Sequence, residues 1–487
     1  MHSAGEQAEI FIHHPPGYRR RRGRNWFFLG LTYASYYLCR YNLGPVSPEL
    51  MRDLNLSPSN YGAIQTGRSL TYAIGQMVNG LFTDRLGGKR AMTIGGVGTI
   101  AMNLLFGLVA WSHFSSAKVL FLLLIAIRMT DGYFQSFGAP GFIKINTSWF
   151  RRRERGSFAG IFGAMINLGA AGAPQLAKIL STGLTISLLL FTLHIPKLDW
   201  RCVFIIPPIF VAVMILALNI FVKNTPEEAG YPIKHDDEPG TGGDPQRVRL
   251  IDVFRKIASN KVVWFIAGAY FCTGFVRSSI EAWWAKYLYD VWNAGKTSTA
   301  YDILSWGLPI TATLGSMGSG FVSDKFFGGQ RAPVAAVLYL SQVVLTIIAL
   351  LVPQDATSSA MLSLFLLIGI AMLCNSTHSI LGTAAAMDLG GPKMAGCSSG
   401  IIDSFQYYGA MLAGWGVGKL FEVVAPVISS TTSAEVSTKV GLAAAKVTTA
   451  PLSVHVWLGS MIPFGLLGTG LMTYVWLAHR GKNTLGA

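Results

Sequence analysis

The chain has 487 residues, of which 51% are hydrophobic and only 13% charged, and its mean hydropathy is +0.43. A soluble protein of this length would carry far more charged surface, so the composition indicates an integral membrane protein. The net charge of +15 does not indicate nucleic-acid binding, because the basic residues are spread over short loops and are not gathered on one soluble domain.

Apolar blocks recur along the chain at close to the ~20 residues that a helix needs to cross a bilayer. The clearest are Ala91–Trp111, Val119–Arg128, Val203–Val222, Ala332–Val352, Met361–Cys374 and Leu458–Ala478. All plausible blocks together predict about twelve spans. The first span is expected to be kept as a helix, because no small-residue cleavage site follows it.

The loops between these blocks alternate in charge. If the N-terminus is cytoplasmic, the inner segments carry clusters such as Arg19–Arg22, Lys89–Arg90 and Arg151–Arg153, whereas the outer loops carry scattered basic residues such as Lys118. This positive-inside bias predicts that both termini are cytoplasmic, and we expect a bacterial inner membrane.

The longest polar interval between spans divides the chain into two similar lengths. It is charged and rich in Pro and Gly, which is typical of a linker. The predicted segments are a cytoplasmic basic tail (1–25), an N-terminal six-helix half (26–223), a cytoplasmic linker (224–260), a C-terminal six-helix half (261–480) and a cytoplasmic tail (481–487).

Two elements recur at nearly the same spacing in the two halves. Arg40 and Arg277 each lie inside an apolar span and are 237 residues apart. The glycine-rich loops that contain Asp84 and Asp324 are 240 residues apart. Two unrelated elements in register indicate a duplicated unit, so we predict an all-α membrane protein of about twelve transmembrane helices in two pseudo-symmetric six-helix bundles.

The arginines inside the spans are the strongest functional signal. An arginine at the centre of a membrane helix costs about 2.5–3.5 kcal/mol on insertion scales, so it needs a partner or a watery cavity. Its flat fork of donors matches the oxygens of phosphate or carboxylate. A pseudo-twofold axis would bring Arg40 and Arg277 together, and we interpret the pair as a central anion site.

Other polar residues inside the spans extend this candidate site. Tyr33, Tyr36 and Tyr37 share a helical face with Arg40, and Glu281 lies one turn from Arg277, where we expect an ion pair. Further candidates for the cavity wall are Arg68, Tyr72, Gln76, Gln135, Asn167, Asp403, Gln406 and Tyr407. By contrast, we interpret Arg128 with Asp131 as a structural pair and His378 as a hydrogen-bonded interior histidine.

The two glycine-rich loops are interpreted as gating elements rather than as substrate sites. Their glycines permit tight cytoplasmic turns, and their acids can cap or pair with a neighbouring helix end. The predicted gating residues are Asp84, Arg85, Asp324 and Lys325.

Two stretches fit no span. Leu184–Ile195 is too short to cross a bilayer and is expected to extend the preceding helix or to lie at the membrane interface, and Val427–Pro451 is expected to be an outer loop. The five cysteines have no metal-ligand spacing and are expected to be reduced packing residues, and we predict no metal or cofactor.

Several motifs resemble those of a known family. The loop at Gly80–Arg90 resembles the loop motif of the major facilitator superfamily. The segments Tyr33–Asn42, Phe134–Pro140 and Arg277–Trp283 are similar to the first, fourth and seventh helices of its organophosphate:phosphate antiporters, which include glycerol-3-phosphate and hexose-phosphate transporters. The resemblance covers residues 26 to about 480.

The resemblance implies that Arg40 and Arg277 bind a phosphoryl group and that Tyr33, Tyr37 and Tyr72 line the cavity. The sequence departs from the family pattern in the fourth helix, where Gly138-Ala139-Pro140-Gly141 replaces Gly-Trp-Pro-Pro, and from the glycerol-3-phosphate branch at three further positions. Gln76 stands where that branch has a lysine, Ile166 stands where it has a histidine, and Arg68 is an added cation. The identity of the organic part of the substrate therefore stays open.

We predict a secondary transporter that exchanges an organophosphate for inorganic phosphate by rocking of the two halves, as a monomer in the lipid bilayer. Two alternatives stay open: a proton-coupled organic-anion symporter with Glu281 or Asp403 as carrier, and a membrane sensor of sugar phosphates. An enzyme is not expected, because the spans hold no nucleophile–base couple.

Overall fold

The computed structural model describes residues 15–112, 114, 116–150, 152–187, 192–231, 259–327, 330–352, 357–385, 402–423 and 455–478. The N-terminal half contains α1 (Tyr18–Arg40), α2 (Ser47–Asp53), α3 (Pro58–Leu86), α4 (Gly88–Trp111), α5 (Ala117–Gln135), α6 (Gly138–Trp149), α7 (Arg152–Thr182) and α8 (Ile206–Phe221). The C-terminal half contains α9 (Lys261–Trp292), α10 (Thr299–Phe326), α11 (Arg331–Leu351), α12 (Thr357–Ser379), α13 (402–423) and α14 (Met461–Ala478).

These helices confirm the predicted fold class. Within the described ranges, six of them are long and apolar enough to cross a membrane on composition alone: α4, α8, α9, α11, α12 and α14. The other long helices are more polar, and α1, α3, α5 and α7 supply many of the polar residues predicted for the site. A helix that lines a polar cavity carries polar side chains, and these lower its mean hydropathy. Composition alone therefore identifies only part of the bundle.

The fourth span is interrupted. α5 ends at Gln135, the chain turns through Ser136 and Phe137, and α6 starts at Gly138. Pro140 lies in the first turn of α6, where its missing N–H costs no helical hydrogen bond. The break lies directly after Gln135, a predicted site residue.

Two predicted boundaries differ from the structure. α1 already begins at Tyr18, after Gly17 at φ +82°, so the cluster Arg19–Arg22 is part of the first helix and Arg21 Nη1 donates to the carbonyl of Phe221 at 2.8 Å. The expectation that Leu184–Ile195 extends the preceding helix is wrong, because Gly183 at φ +77° ends α7.

That segment forms an antiparallel hairpin of β1 (Leu184–Ser187) and β2 (Thr192–Ile195), with Leu184 opposite Ile195. The predicted outer loop Val427–Pro451 and residues 232–258 of the predicted linker lie outside the described residues.

The two halves contact each other at one end of the bundle, where α1 and α9 end and α3 and α10 begin; we call it the joined end. Lys178 Nζ lies 2.5 and 2.7 Å from the carboxylate oxygens of Asp302, and Lys296 Nζ lies 2.6 Å from Glu49. Burial lowers the pKa of Lys296, and the carboxylate of Glu49 partly offsets this effect. Each ion pair joins one half to the other.

Two glycines allow the helices to touch at the joined end. A Cβ on Gly62 of α3 would lie 2.1 Å from the carbonyl oxygen of Gly414 of α13, and a Cβ on Gly414 would lie 2.8 Å from the carbonyl oxygen of Gly62. Only residues without a side chain permit this approach of backbones. Nearby, Thr66 Oγ1 donates to the carbonyl of Met411 at 2.6 Å.

Gly62→Ala is therefore expected to separate the halves at the joined end and to shift the conformational equilibrium away from the present state. Arg52 and Lys419, which both have exposed side chains, are replaced by cysteines and spin-labelled in a variant that lacks the native cysteines. The measurement is the distance between the two labels. Gly80→Ala in the same helix is the control, since its Cβ would meet no atom within 4 Å. Identical distance distributions for the two variants would contradict the prediction.

Candidate functional site

Arg40 is the last residue of α1 and lies at the centre of the N-terminal half of the site. Its side chain is buried, with Nε donating to Gln135 Oε1 at 2.8 Å and Nη2 to Tyr72 OH at 3.2 Å. The guanidinium also lies over the rings of Tyr37 and Tyr72, at 4.5 and 4.7 Å from their centroids. Its described partners are thus neutral, and its charge is stabilised by aromatic faces and an amide.

A second layer behind Arg40 fixes its orientation. Gln135 Nε2 donates to both carboxylate oxygens of Asp131 at 3.1 Å, and Arg128 Nη1 lies 3.1 Å from Asp131 Oδ2. Arg128 and Asp131 are both 1% exposed, so the predicted structural pair is confirmed. Gln135 is fully buried and holds Arg40 in place; direct contact of Gln135 with a substrate stays a prediction.

Arg277 occupies the matching place on α9. Its Nε lies 3.0 Å from Glu281 Oε1, which confirms the expected ion pair. Nη2 donates to Tyr41 OH at 3.4 Å, and Tyr41 OH donates to Glu281 Oε1 at 3.3 Å. Since Tyr41 belongs to the N-terminal half, it ties Arg277 and Glu281 to the segment that directly follows Arg40.

Two further side chains hold Arg277 from its own half. His378 Nε2 lies 3.4 Å from Arg277 Nη1, and His378 Nδ1 lies 2.6 Å from Tyr270 OH, so the predicted interior histidine is hydrogen-bonded. The amide of Gln406 is oriented with its oxygen toward Arg277 and its nitrogen toward Asp403. In this orientation the oxygen accepts a hydrogen bond from Arg277 Nη1 at 2.9 Å, and the nitrogen donates one to Asp403 Oδ1 at 3.1 Å. The second arginine is therefore held by a network at least as extensive as that around the first.

The remaining predicted site residues lie around these two arginines. Tyr33 stacks on Phe142, with ring centroids 5.1 Å apart, and Tyr72 packs against Tyr407 of the other half at 4.4 Å. Asn167 Nδ2 donates across the halves to Thr313 Oγ1 at 2.7 Å.

Gln76 lies against Asp403, close enough for a side-chain hydrogen bond between the halves. Tyr36 departs from the predicted cavity face, because its hydroxyl bonds the carbonyl of Met92 on α4.

Two cavities lie between the halves near the arginines. The larger holds about 760 Å³ of empty space and is lined by Tyr37, Tyr41, Asn167, Arg277, Glu281 and Asn375, among others. The smaller holds about 420 Å³, and its lining includes Arg40, Tyr41, Gln65, Arg68, Ser69 and Glu281. Tyr41 and Glu281 belong to both linings and form the wall between the two spaces.

The gating loops lie away from these cavities. Gly87, at φ +83°, makes the tight turn between α3 and α4 that the glycines predict, and Lys89 N donates to Asn224 Oδ1 at 2.9 Å. Arg85 and Lys325 have exposed side chains. The side chains of Asp84 and Asp324 lie outside the described part of the structure, so the predicted latch role stays a prediction.

Three groups complete the site through contacts that the sequence does not predict. Tyr41 lies within the segment Tyr33–Asn42, for which no contact with Arg277 is predicted, and the predicted interior histidine His378 and the predicted cavity residue Gln406 both bind Arg277. Sequence spacing could have placed Tyr41 next to Arg40, but its contact with Glu281 joins residues 240 positions apart. Among the described cysteines, Cys39, Cys202, Cys272 and Cys374 are free thiols, as expected. Within the described ranges, no three His, Cys, Asp or Glu side chains are grouped to bind a metal ion.

Comparison with known proteins gives one family match. The model of the Major Facilitator Superfamily matches residues 29–414. The probable hexose phosphate transport protein of Chlamydia trachomatis is 28% identical over 420 residues, which cover 83% of this chain and 86% of that protein.

Two relatives from Escherichia coli K12 differ in their roles. The membrane sensor protein UhpC is 25% identical, and the match covers 83% of this chain and 87% of that protein. The hexose-6-phosphate:phosphate antiporter is 26% identical, and the match covers 82% of each chain.

The fold is also similar to that of a solved structure. A bacterial homologue of the human lysosomal transporter Spinster, in an inward-facing and unoccupied conformation, superposes with a TM-score of 0.69. The two proteins are 18% identical, and the superposition covers 93% of this chain and 98% of that one.

Proposed function

Because the chain belongs to the Major Facilitator Superfamily, we propose that it exchanges a phosphorylated organic anion for inorganic phosphate across the membrane. The observation that carries this proposal is the pair Arg40 and Arg277, one in each half, because Tyr41, the residue directly after Arg40, accepts a hydrogen bond from Arg277 at the interface of the halves. The substrate classes named for the Chlamydia and Escherichia relatives agree with this anion chemistry.

Transport proceeds by rocking of the two halves about the central site. The positive-inside bias supports cytoplasmic termini in a bacterial inner membrane; in this orientation the joined end faces the outside, and the present state is closed on that side. Opening this end requires separation of the ion pairs Lys178–Asp302 and Lys296–Glu49. Closure at the other end then completes the transport cycle.

The charges of the site explain why transport is an exchange. In an empty protein, the cavity cations would enter a closing, drying space, which carries a high desolvation cost. Phosphate and its monoesters carry ≈ −1.5 to −2 charges at pH 7 and neutralise these cations. Only the loaded protein then crosses between the two states at an appreciable rate, and no proton carrier is needed.

The function is tested by uptake of labelled phosphate into proteoliposomes that contain internal phosphate, in competition with a panel of glycerol, triose and hexose phosphates. We expect uptake that one class of ester blocks at micromolar to millimolar concentration. Uptake that is driven by a pH gradient without internal phosphate would instead support the symporter with Glu281 or Asp403 as carrier. Tight binding of an ester without any uptake would support the sensor.

A further inference from the structure

The cations near the site differ in how far carboxylates neutralise them. Arg277 has Glu281 at 3.0 Å and Arg128 has Asp131 at 3.1 Å, so both are paired. Arg40 and Arg68 form no ion pair among the described residues. The smaller cavity is lined by these two arginines and by Glu281, whereas the larger is lined by Arg277 and Glu281, so the net charge of the smaller cavity is more positive.

Arg68 lines this cavity and carries an unsatisfied donor. It lies on α3 one turn before Tyr72, which contacts Arg40, and its Nε is buried without a hydrogen-bond partner in the described structure. A buried donor on a charged group that makes no hydrogen bond costs more than ~1–3 kcal/mol of free energy. An arginine without an ion pair inside a membrane bundle adds a further free-energy cost. An anion in the smaller cavity would remove both costs.

Polar neighbours of Arg68 complete a cradle for a compact anion. Gln65 and Ser278 line the same cavity and offer an amide and a hydroxyl donor, whereas the Ser69 hydroxyl donates to the carbonyl of Gln65. Arg40 still has guanidinium donors beyond the two that bind Gln135 and Tyr72. The carboxylate of Glu281, which also lines this cavity, is paired with Arg277, so the charges of Arg40 and Arg68 and the neutral donors are left to bind a phosphoryl dianion.

We propose that Arg68 is a phosphoryl-binding residue and that the phosphoryl group lies between Arg40 and Arg68 in the smaller cavity. This inference rests on the proposed function and divides its site into two subsites. The organic part of the ester lies in the larger cavity, where Asn167 and Asn375 offer amides and Trp284 an aromatic surface. Tyr41 on the shared wall contacts the ester where the two cavities meet, while Glu281 on the same wall stays paired with Arg277.

The division gives Arg277 a distinct role. Glu281 offsets its charge, so Arg277 contributes directional donors from the opposite half, whereas Arg40 and Arg68 contribute the net charge that selects a dianion. Removal of Arg68 should therefore weaken the preference for dianions over monoanions. A residue that only packed the helix would not change this preference.

The test compares Arg68→Gln and Arg68→Lys with the wild type, and with Arg52→Gln as control because the Arg52 side chain is exposed. Uptake of labelled phosphate is measured in exchange, in competition with methyl phosphate, a dianion, and dimethyl phosphate, a monoanion. We expect Arg68→Gln to raise the KM for phosphate roughly ten- to a hundredfold. Its preference for methyl over dimethyl phosphate should fall at least about tenfold, and Arg68→Lys should retain that preference.

Wild-type KM and charge preference in Arg68→Gln would overturn the inference while leaving the exchange function intact. Absence of phosphate exchange in the wild type would instead overturn the proposed function. If Arg68→Gln does not accumulate as a folded protein, the deciding measurement is equilibrium binding of inorganic phosphate to purified Arg68→Lys, alone and in competition with methyl and dimethyl phosphate. Weaker binding than in the wild type, with the dianion preference kept, supports the inference, and unchanged affinity overturns it.

Discussion

Arg277→Lys is expected to lower phosphate exchange roughly ten- to a hundredfold, even though it preserves the positive charge. Arg277 uses separate nitrogens to contact Glu281, Tyr41 and the His378–Gln406 pair. A lysine offers a point charge without the planar fork, so it cannot keep these contacts and also present donors to an anion. Loss of one or two charge-assisted hydrogen bonds, each about 1.5–3 kcal/mol, gives an effect of this size.

The measurement is the initial rate of labelled phosphate uptake against phosphate concentration, in proteoliposomes with equal amounts of protein. Arg52→Lys is the matched control, because it makes the same change at an exposed side chain that pairs with Asp53. We expect the control to transport at the wild-type rate. Full exchange activity in Arg277→Lys would show that only charge, and not fork geometry, matters at this position.

Asp131→Ala is expected to destabilise the protein by about 3–5 kcal/mol, the largest stability effect that we predict. The change leaves the 1%-exposed Arg128 as an uncompensated charge inside the bundle. It also removes the acceptor for Gln135 and for Asn103 Nδ2, which lies 3.3 Å from Asp131 Oδ1. Because Gln135 holds Arg40, the variant should also lose transport activity.

Thermal unfolding of the purified protein in detergent tests this prediction. Thr130→Ala, at the exposed neighbouring position of the same helix, is the control and should unfold close to the wild-type temperature. The double variant Arg128→Met with Asp131→Leu should regain most of the stability, because replacing both partners removes the unpaired charge. A wild-type unfolding temperature for Asp131→Ala alone would refute a structural role for the pair.

Much of the site follows from local sequence spacing. Arg40 and Arg277 could be found because an arginine in an apolar span is costly and because both recur at nearly the same offset as the glycine-rich loops. The pairs Arg128–Asp131 and Arg277–Glu281 lie three and four residues apart, and helical geometry alone brings such residues together.

The remainder depends on contacts between helices that are far apart in sequence. Gln135 accepts a hydrogen bond from Arg40 across 95 positions of the sequence, and no local spacing predicts this contact. Tyr41 reaches Glu281 only when the halves are packed at the joined end. The hairpin that starts at Leu184 was missed because its strands are each four residues long and apolar, a pattern that is shared with helix ends.

The most direct test of the account is efflux of labelled phosphate from loaded proteoliposomes into two external buffers, one with and one without unlabelled phosphate. If the protein cannot reorient while its cationic site is empty, we expect rapid efflux into the buffer with phosphate. Efflux into the buffer without phosphate should stay near the level of protein-free liposomes. Equal efflux into both buffers would show that the empty protein reorients freely, and it would contradict obligatory exchange through the Arg40–Arg277 site.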